Sequence, residues 1–387
     1  MTPSEEFVYE LANKTFLPFW SFANPIGKKD KELCDVLVIC DNVVIIISVK
    51  EIKVSEGKNI DVQYERWIKK AIHASCDQIH GAERYILSSD KILLNDRKTW
   101  VDLPERSHLK IYRIAVAFGS LETFPLPTGD FGNGFVHVFD EKSTFTIFDE
   151  LDTITDFIEY LEAKEKFFVG RRIQASSECD FLAFYLQTNF DIGPKVDLLS
   201  LDNNLWEKYI KSKEYAKWQN EIKQSFFWDN MINHLFNYHI RNNQSEVKRA
   251  NLELAIRMIN LESRWNRIEL GMILDNMRDS KVKARMLKPL HGKRHTYVFL
   301  KLTSKNWDIK EKELELRSCV ARVENPDTEI IIGISIGEDL EGNSCFDILY
   351  LNIPELTNDF INHVNEVKKE LGYFKNPVYS RSKDMRP

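Results

Sequence analysis

Two short stretches near the start of the chain have no polar position at all. Val36–Cys40 and Val43–Ile47 are apolar throughout and mostly β-branched, the pattern of strands covered on both faces. Asp41-Asn42 lies between them, and both residue types tolerate the positive φ of a two-residue hairpin turn. With the turn there, Cys40 faces Val43, Val38 faces Ile45 and Asp35 faces Ser48. Side chains alternate along a strand, so Lys50 shares a face with Ser48 and hence with Asp35. A carboxylate, a hydroxyl and an ammonium are thereby gathered at the open end of an apolar hairpin. Charge in such a place needs a partner or a metal. A structural Asp35–Lys50 ion pair and a chemical site both answer that need.

The flanking pattern predicts helices around these strands. Thr2-Pro3-Ser4-Glu5 has the form of a capping box with proline at the first helical position. Phe7, Val8, Leu11 and Ala12 then make an apolar stripe, with Glu6 and Glu10 to one side of it. Glu10 lies nearer the stripe's edge and is the one expected to look into a site. Phe16–Phe22 reads as an extended aromatic segment, broken by Asn24-Pro25-Ile26-Gly27. Lys28, Lys29 and Lys31 follow in a basic loop, which suits either a solvated turn or phosphate contact beside the hairpin. Asp61–Ser88 has helical spacing throughout, with a flank of small residues that includes Ser75 and surrounds Gln78. A polar side chain in that flank needs a partner. Lys91–Leu109 reads as irregular, Ile111–Phe118 as a strand ending at Gly119, and Phe135–Phe139 as another. The loop Pro125–Gly134 is glycine-rich, but it leads into a strand and lacks a following Lys-Ser/Thr, so it is no phosphate cradle. Phe148–Phe168 reads as one helix. The order predicts a mixed α/β sheet with helices on its faces.

Gly170-Arg171-Arg172 marks the expected boundary, dividing the chain into 1–170 and 171–387. The second part reads as helical over Glu178–Thr188, Trp206–Gln224, Phe226–Ile240 and Val247–Asn276. Strands at Tyr297–Leu302, Glu329–Ile336 and Asp347–Leu351, with helices at Lys310–Arg322 and Glu355–Leu371, then make a small α/β unit.

Composition narrows the function. The chain of 387 residues can hold two cores. Its net charge of −6 gives no global attraction to nucleic acid, so such binding must use local patches. The clearest is Lys281, Lys283, Arg285, Lys288, Lys293 and Arg294, in a stretch without acidic residues. No signal-peptide pattern opens the chain, and its apolar runs are far too short to span a bilayer. Six cysteines without a CxxC pair suggest reduced thiols in the cytoplasm, not zinc or disulfides. His73, Asp77 and His80 are spread around their helix and match no metal motif.

Hydrolysis of a phosphodiester with Mg²⁺ needs carboxylate oxygens for the metal and a group to orient or activate water, for which lysine serves. Asp35, facing Ser48, with Lys50 two residues on, resembles the motif of the PD-(D/E)xK nuclease superfamily. The upstream helix carrying Glu, and Gln78 within Gln78-Ile-His-Gly-Ala82-Glu-Arg-Tyr85, are similar to its RecB-like and nuclease-related-domain branches. The resemblance covers residues 1–165 or so and implies a restriction-endonuclease-like fold. It further implies that Asp35 with Glu10 or Glu6 holds Mg²⁺ or Mn²⁺, that Lys50 acts on water, and that Gln78 contacts the site or the nucleic acid. Ser48 stands where the family normally has Asp or Glu; Glu32, Glu51 or a water would have to supply that charge. Two functions are therefore expected in competition. One is a Mg²⁺-dependent endonuclease on DNA, RNA not being excluded, of the kind found in bacterial anti-phage defence and DNA processing. The other is a catalytically silent nuclease fold that binds nucleic acid or protein. In either, residues 171–387 are expected to recognise substrate, a partner protein or a second copy.

Overall fold

The computed structural model describes residues 1–53, 59–120, 124–191, 198–241, 246–289, 293–338 and 341–375. The chain falls into two units, Met1–Trp218 and Gln219–Pro387.

In the first unit, α1 (Pro3–Phe16) starts with the capping box foreseen at Thr2 and Glu5. It is followed by β1 (Ser21–Ala23), β2 (Val36–Cys40) and β3 (Val43–Glu51). Next come α2 (Ile60–Trp67) and α3 (Ala74–Leu87), then the two-stranded hairpin β4 (Lys91–Leu93) and β5 (Trp100–Asp102). β6 (Lys110–Phe118), β7 (Gly129–Asp130) and β8 (Phe135–Phe139) complete the main sheet. Its six strands run in the order β1-β2-β3-β6-β8-β7. The pairs β1–β2, β2–β3 and β7–β8 are antiparallel, while β3–β6 and β6–β8 are parallel. The fold is thus mixed α/β around a six-stranded mixed sheet.

The β2–β3 register is the expected one, Cys40 against Val43 and Val38 against Ile45. Asp41 takes φ 54° in the turn. One face of the sheet packs α2 and α3 through Leu37, Ile39, Val44, Ile46, Ile72 and Ile79, among others. The other face meets α1, α4 (Glu141–Glu150) and α5 (Ile154–Phe168), where Phe16 packs against Phe148 and Phe157. Gly119 ends β6 at φ 92°, and a Cβ there would lie 2.4 Å from the Ile52 carbonyl oxygen. The ends of β3 and β6 therefore close together only around glycine.

Several local expectations are revised. The helix read over Asp61–Ser88 contains a π turn at Ile68–His73. Gln63 and Trp67 are buried before it; Ser75, Ile79, Ala82 and Ile86 are buried after it. On an ideal helix those stripes are out of phase by roughly 100°, the turn of one residue, which the wide turn absorbs. Lys91–Leu109 holds the short β4–β5 hairpin, and the helix read over Phe148–Phe168 is two helices, separated by the Thr153 cap.

The unit boundary also moves. Beyond Gly170 the chain adds β9 (Arg172–Gln174), α6 (Glu178–Thr188), β10 (Leu198–Ser200), α7 (Leu205–Tyr209) and α8 (Lys213–Glu221). α6 is bound to the first core by a buried ion pair, Lys164 Nζ to Glu178 Oε1 at 2.6 Å. Phe167 of α5 stacks on Phe190 at 4.7 Å. The expected break at 170 is therefore a turn inside a unit, and the division lies between Trp218 and Gln219.

The second unit contains α9 (Phe226–Arg241), α10 (Glu246–Asn260) and α11 (Arg264–Asp279). The single helix expected over Val247–Asn276 is broken at the Ser263 cap. β11 (Ala284–Met286), β12 (His295–Lys301), α12 (Lys310–Glu324), β13 (Ile330–Glu338), β14 (Ser344–Asn352) and α13 (Asn358–Leu371) follow. The four strands form one sheet in sequence order, with β12 and β13 parallel. Where α10 hands over to α11, Glu262 is fully buried. Burial alone would push its carboxyl up, but the His295 hydrogen bond, the charges of Lys293 and His295, and the Tyr297 hydroxyl hold it down to about 2. A carboxyl depressed by folding stabilises above its unfolded value near 4.5 and loses that contribution as pH falls through about 2. Glu262→Gln should therefore remove about 3 kcal/mol at neutral pH and flatten the acid limb of the second unit's stability curve. Denaturant titrations from pH 7 to 2 test this; parallel curves for the two proteins would refute it.

Among the described residues no helix is long and apolar enough to cross a membrane. No disulfide joins the cysteines, four of which are buried.

Candidate active site

The open end of the hairpin is organised by Asp35, which is 1% exposed. Its Oδ2 accepts the backbone N–H of Val49 at 2.5 Å and the Lys50 ammonium at 3.3 Å. The carboxylate replaces the next rung of the ladder, which fixes its orientation. Lys50 keeps 31% of its side chain exposed, so its ammonium touches both Asp35 and solvent.

Ser48 lies on the same face but turns the other way. It is fully buried, and its hydroxyl contacts Gln78 Oε1 at 2.7 Å and Ser75 Oγ at 3.1 Å. α3 therefore reaches β3 through a polar row, in phase because of the π turn just before it. Such turns recur at functional sites. Gln78 thus has its partner in Ser48, and the acceptor side of its amide is the side used.

A second carboxylate comes from the loop before β2. Glu32 is exposed, and both Asp35 and the Asn24 amide act on its carboxyl. Its carboxyl is raised, first by desolvation and then by Asp35, with the charge of Glu5 adding to this. The loop doubles back: Ile26 bridges Glu32, and Leu33 N–H donates to Pro25 O at 2.8 Å. Lys29 and Asp30 take φ 59° and 56° at its tip. Lys28, Lys29 and Lys31 are all exposed on this same loop.

Asn24 belongs to the same group. The β1–β2 register pairs Ala23 with Val36, and Asn24 N–H donates to the Asp35 carbonyl at 3.0 Å. Asn24 and Asp35 are thus backbone neighbours just past the last β1–β2 pair. Asn24 is 8% exposed, and its Oδ1 is buried with no hydrogen-bond partner.

The structure does not bring Glu6 and Glu10 here. α1 buries Ser4, Val8, Leu11, Ala12, Thr15 and Phe16, while Phe7 is 37% exposed. The buried stripe is thus rotated away from Glu6 and Glu10, which are exposed. α1 also packs on the opposite face of the sheet from Ser48. Glu51 faces that side and is bound to Ser4, whose hydrogen bond lowers its carboxyl. Of the alternatives for the missing acid, Glu32 is the one whose carboxyl Asp35 helps to raise.

In the second unit, Lys281, Lys283 and Lys288 are exposed and Arg285 is half-buried. Lys293 is 3.7 Å from Glu262 and Arg294 is 2.8 Å from Glu329. Those two are partly neutralised, so the expected patch reduces to its first four members.

Among the described residues there is no group of three or more His, Cys, Asp and Glu side chains placed to hold a metal ion. The site offers two carboxylates, a lysine and a carboxamide, all gathered by the β1–β2–β3 meander. No family model, curated protein or solved structure matches the chain.

Proposed function

We propose that this chain is a Mg²⁺- or Mn²⁺-dependent endonuclease of the PD-(D/E)xK kind, hydrolysing phosphodiester bonds of DNA at the open end of the β2–β3 hairpin. The observation that carries it is the buried Asp35 carboxylate at the hairpin's open end, held by the Val49 N–H with the Lys50 ammonium beside it. Asp35 in turn helps to raise the Glu32 carboxyl, as one carboxylate does to another nearby. A donor set made only of oxygens suits a hard divalent ion. The element order from α1 to β6, a helix, three antiparallel strands, helices and a parallel strand, supports the finer restriction-endonuclease-like reading of the fold.

Asp35 and Glu32 would hold the ion. When bound, a divalent cation would supply Lewis acidity towards water and positive charge opposite the scissile phosphate. Asp35 is held in register by the Val49 N–H and needs no reorganisation to act. Lys50 would orient the attacking water or stabilise charge on a phosphoryl oxygen. Lys28, Lys29 and Lys31 extend the same mouth with positive charge for the flanking phosphates.

Cleavage of supercoiled plasmid in Mg²⁺ or Mn²⁺ tests this. Wild type should nick it, and Asp35→Asn and Lys50→Ala should each be slower on the order of 10²-fold or more. Equal cleavage by all three proteins would remove the proposed site. An RNA substrate run in parallel decides between the two nucleic acids.

A second reading, nucleic-acid binding without hydrolysis, draws on Ser48. Its hydroxyl is spent on Ser75 and Gln78, so it does not replace the acid. Salt-sensitive DNA binding that survives Asp35→Ala, with no Mn²⁺ binding by the wild type, would favour that reading.

A further inference from the structure

We infer that Asn24 is a ligand of the divalent ion through its carboxamide oxygen, so that the β1–β2 loop supplies the coordination that Ser48 does not. The inference rests on the metal-dependent reading of Asp35 and Glu32 and adds to it a residue that nothing in the nuclease motif names.

Asn24 has the attributes of a ligand held ready. It is 8% exposed, and its Oδ1 is buried without a hydrogen-bond partner. Buried amide oxygens are almost always satisfied, and leaving one bare costs free energy. The Asn24 amide lowers the Glu32 carboxyl, the effect of an N–H side turned towards it. The bare Oδ1 thus belongs to an amide that acts on one of the two proposed metal-binding carboxylates.

Position explains how it arrives there. Asn24 stands opposite Asp35, as Ser48 does on the other side. Replacing Asn24 by an ordinary side chain would be strained, since its φ is 46°, a region that asparagine and glycine tolerate. Asparagine and aspartate are the residues that tolerate this conformation and also bring a side-chain oxygen. The acid lost from β3 is therefore compensated from β1 and its loop: Glu32 brings charge, Asn24 a neutral oxygen. Asp35, Glu32 and Asn24 together make an oxygen set for a hard cation, filled out by water and phosphate oxygens.

Mn²⁺ binding, followed by calorimetry and by the electron paramagnetic resonance of the bound ion, provides the test without reference to cleavage. The proteins are wild type, Asn24→Gly, Asn24→Asp and Asp35→Asn, each checked by circular dichroism. Glycine keeps the backbone conformation and deletes only the amide. Wild type should bind Mn²⁺, Asn24→Gly should bind on the order of tenfold more weakly, and Asn24→Asp should bind as tightly or more so. If Asn24→Gly binds within about twofold of wild type while Asp35→Asn binds none, the metal site at Asp35 stands and the role of Asn24 falls. If wild type binds no Mn²⁺, both fall. Should Asn24→Gly fail to fold, Asn24→Asp decides: retained or tightened affinity supports the assignment, and loss of binding overturns it.

Discussion

Lys164→Met should lower the stability of the first unit by about 3–5 kcal/mol, and adding Glu178→Met should restore most of it. Both side chains are almost wholly buried, 0% and 2% exposed. The ammonium also lies 5.1 Å from the Phe181 ring and 5.7 Å from that of Phe168. Burial pushes the Lys164 amine down and the Glu178 carboxyl up, and each is pulled back by the other. Removing only the lysine leaves a buried carboxyl with the Tyr160 hydroxyl at 2.6 Å as its remaining partner. That carboxyl must then fold protonated. A carboxyl raised by folding keeps its contribution below the unfolded value and loses it as pH rises. The deficit of Lys164→Met should accordingly be smaller below about pH 4 than at neutral pH. The double variant removes both charges and keeps an apolar volume between the two phenylalanines. Denaturant titrations of the single and double variants at both pH values are the measurement. A double variant as unstable as the single one would mean that the pair, not the volume, holds α6 to α5.

The same pair shows why the unit boundary was hidden. In sequence, Lys164 and Glu178 look like solvated charges on either side of Gly170-Arg171-Arg172, and only their burial makes them core. The hairpin was legible for the opposite reason. Its strands are apolar at every position, its turn chemistry admits one register, and alternation then places Asp35, Ser48 and Lys50 on one face. Glu10 was misplaced through one aromatic residue. Counting Phe7 as core turns the α1 stripe towards Glu10, whereas Phe7 is 37% exposed and the buried stripe runs through Ser4, Val8 and Thr15. Asn24 was not foreseen, and Glu32 was one option among three. Their approach to Asp35 depends on a loop that reverses through positive φ at Lys29 and Asp30, and neither residue type announces that conformation. The π turn left a trace that could have been read: Trp67 and Ile79 cannot both face the sheet on one uninterrupted α-helix.

Ser48→Asp should make the protein less stable without metal and more responsive to it than wild type. A carboxylate at a fully buried position costs about 2–4 kcal/mol if it lacks a counter-charge. It also cannot donate to Gln78 Oε1, as the serine hydroxyl does. The amide must then turn so that its N–H side meets the new carboxylate. In EDTA the melting temperature should fall. With Mn²⁺ at about a hundred times the Kd, binding returns about 2.7 kcal/mol, and a third carboxylate opposite Asp35 should tighten that Kd on the order of tenfold. The Mn²⁺-induced rise in melting temperature should therefore exceed that of wild type, and plasmid cleavage should quicken with it. A rise no larger than wild type would place the ion out of reach of position 48, on the Asn24–Glu32 side of Asp35 alone. In that event serine would not be a lost ligand. It would be the residue that anchors Gln78 and α3 to β3, with the metal held entirely by the loop and the first two strands.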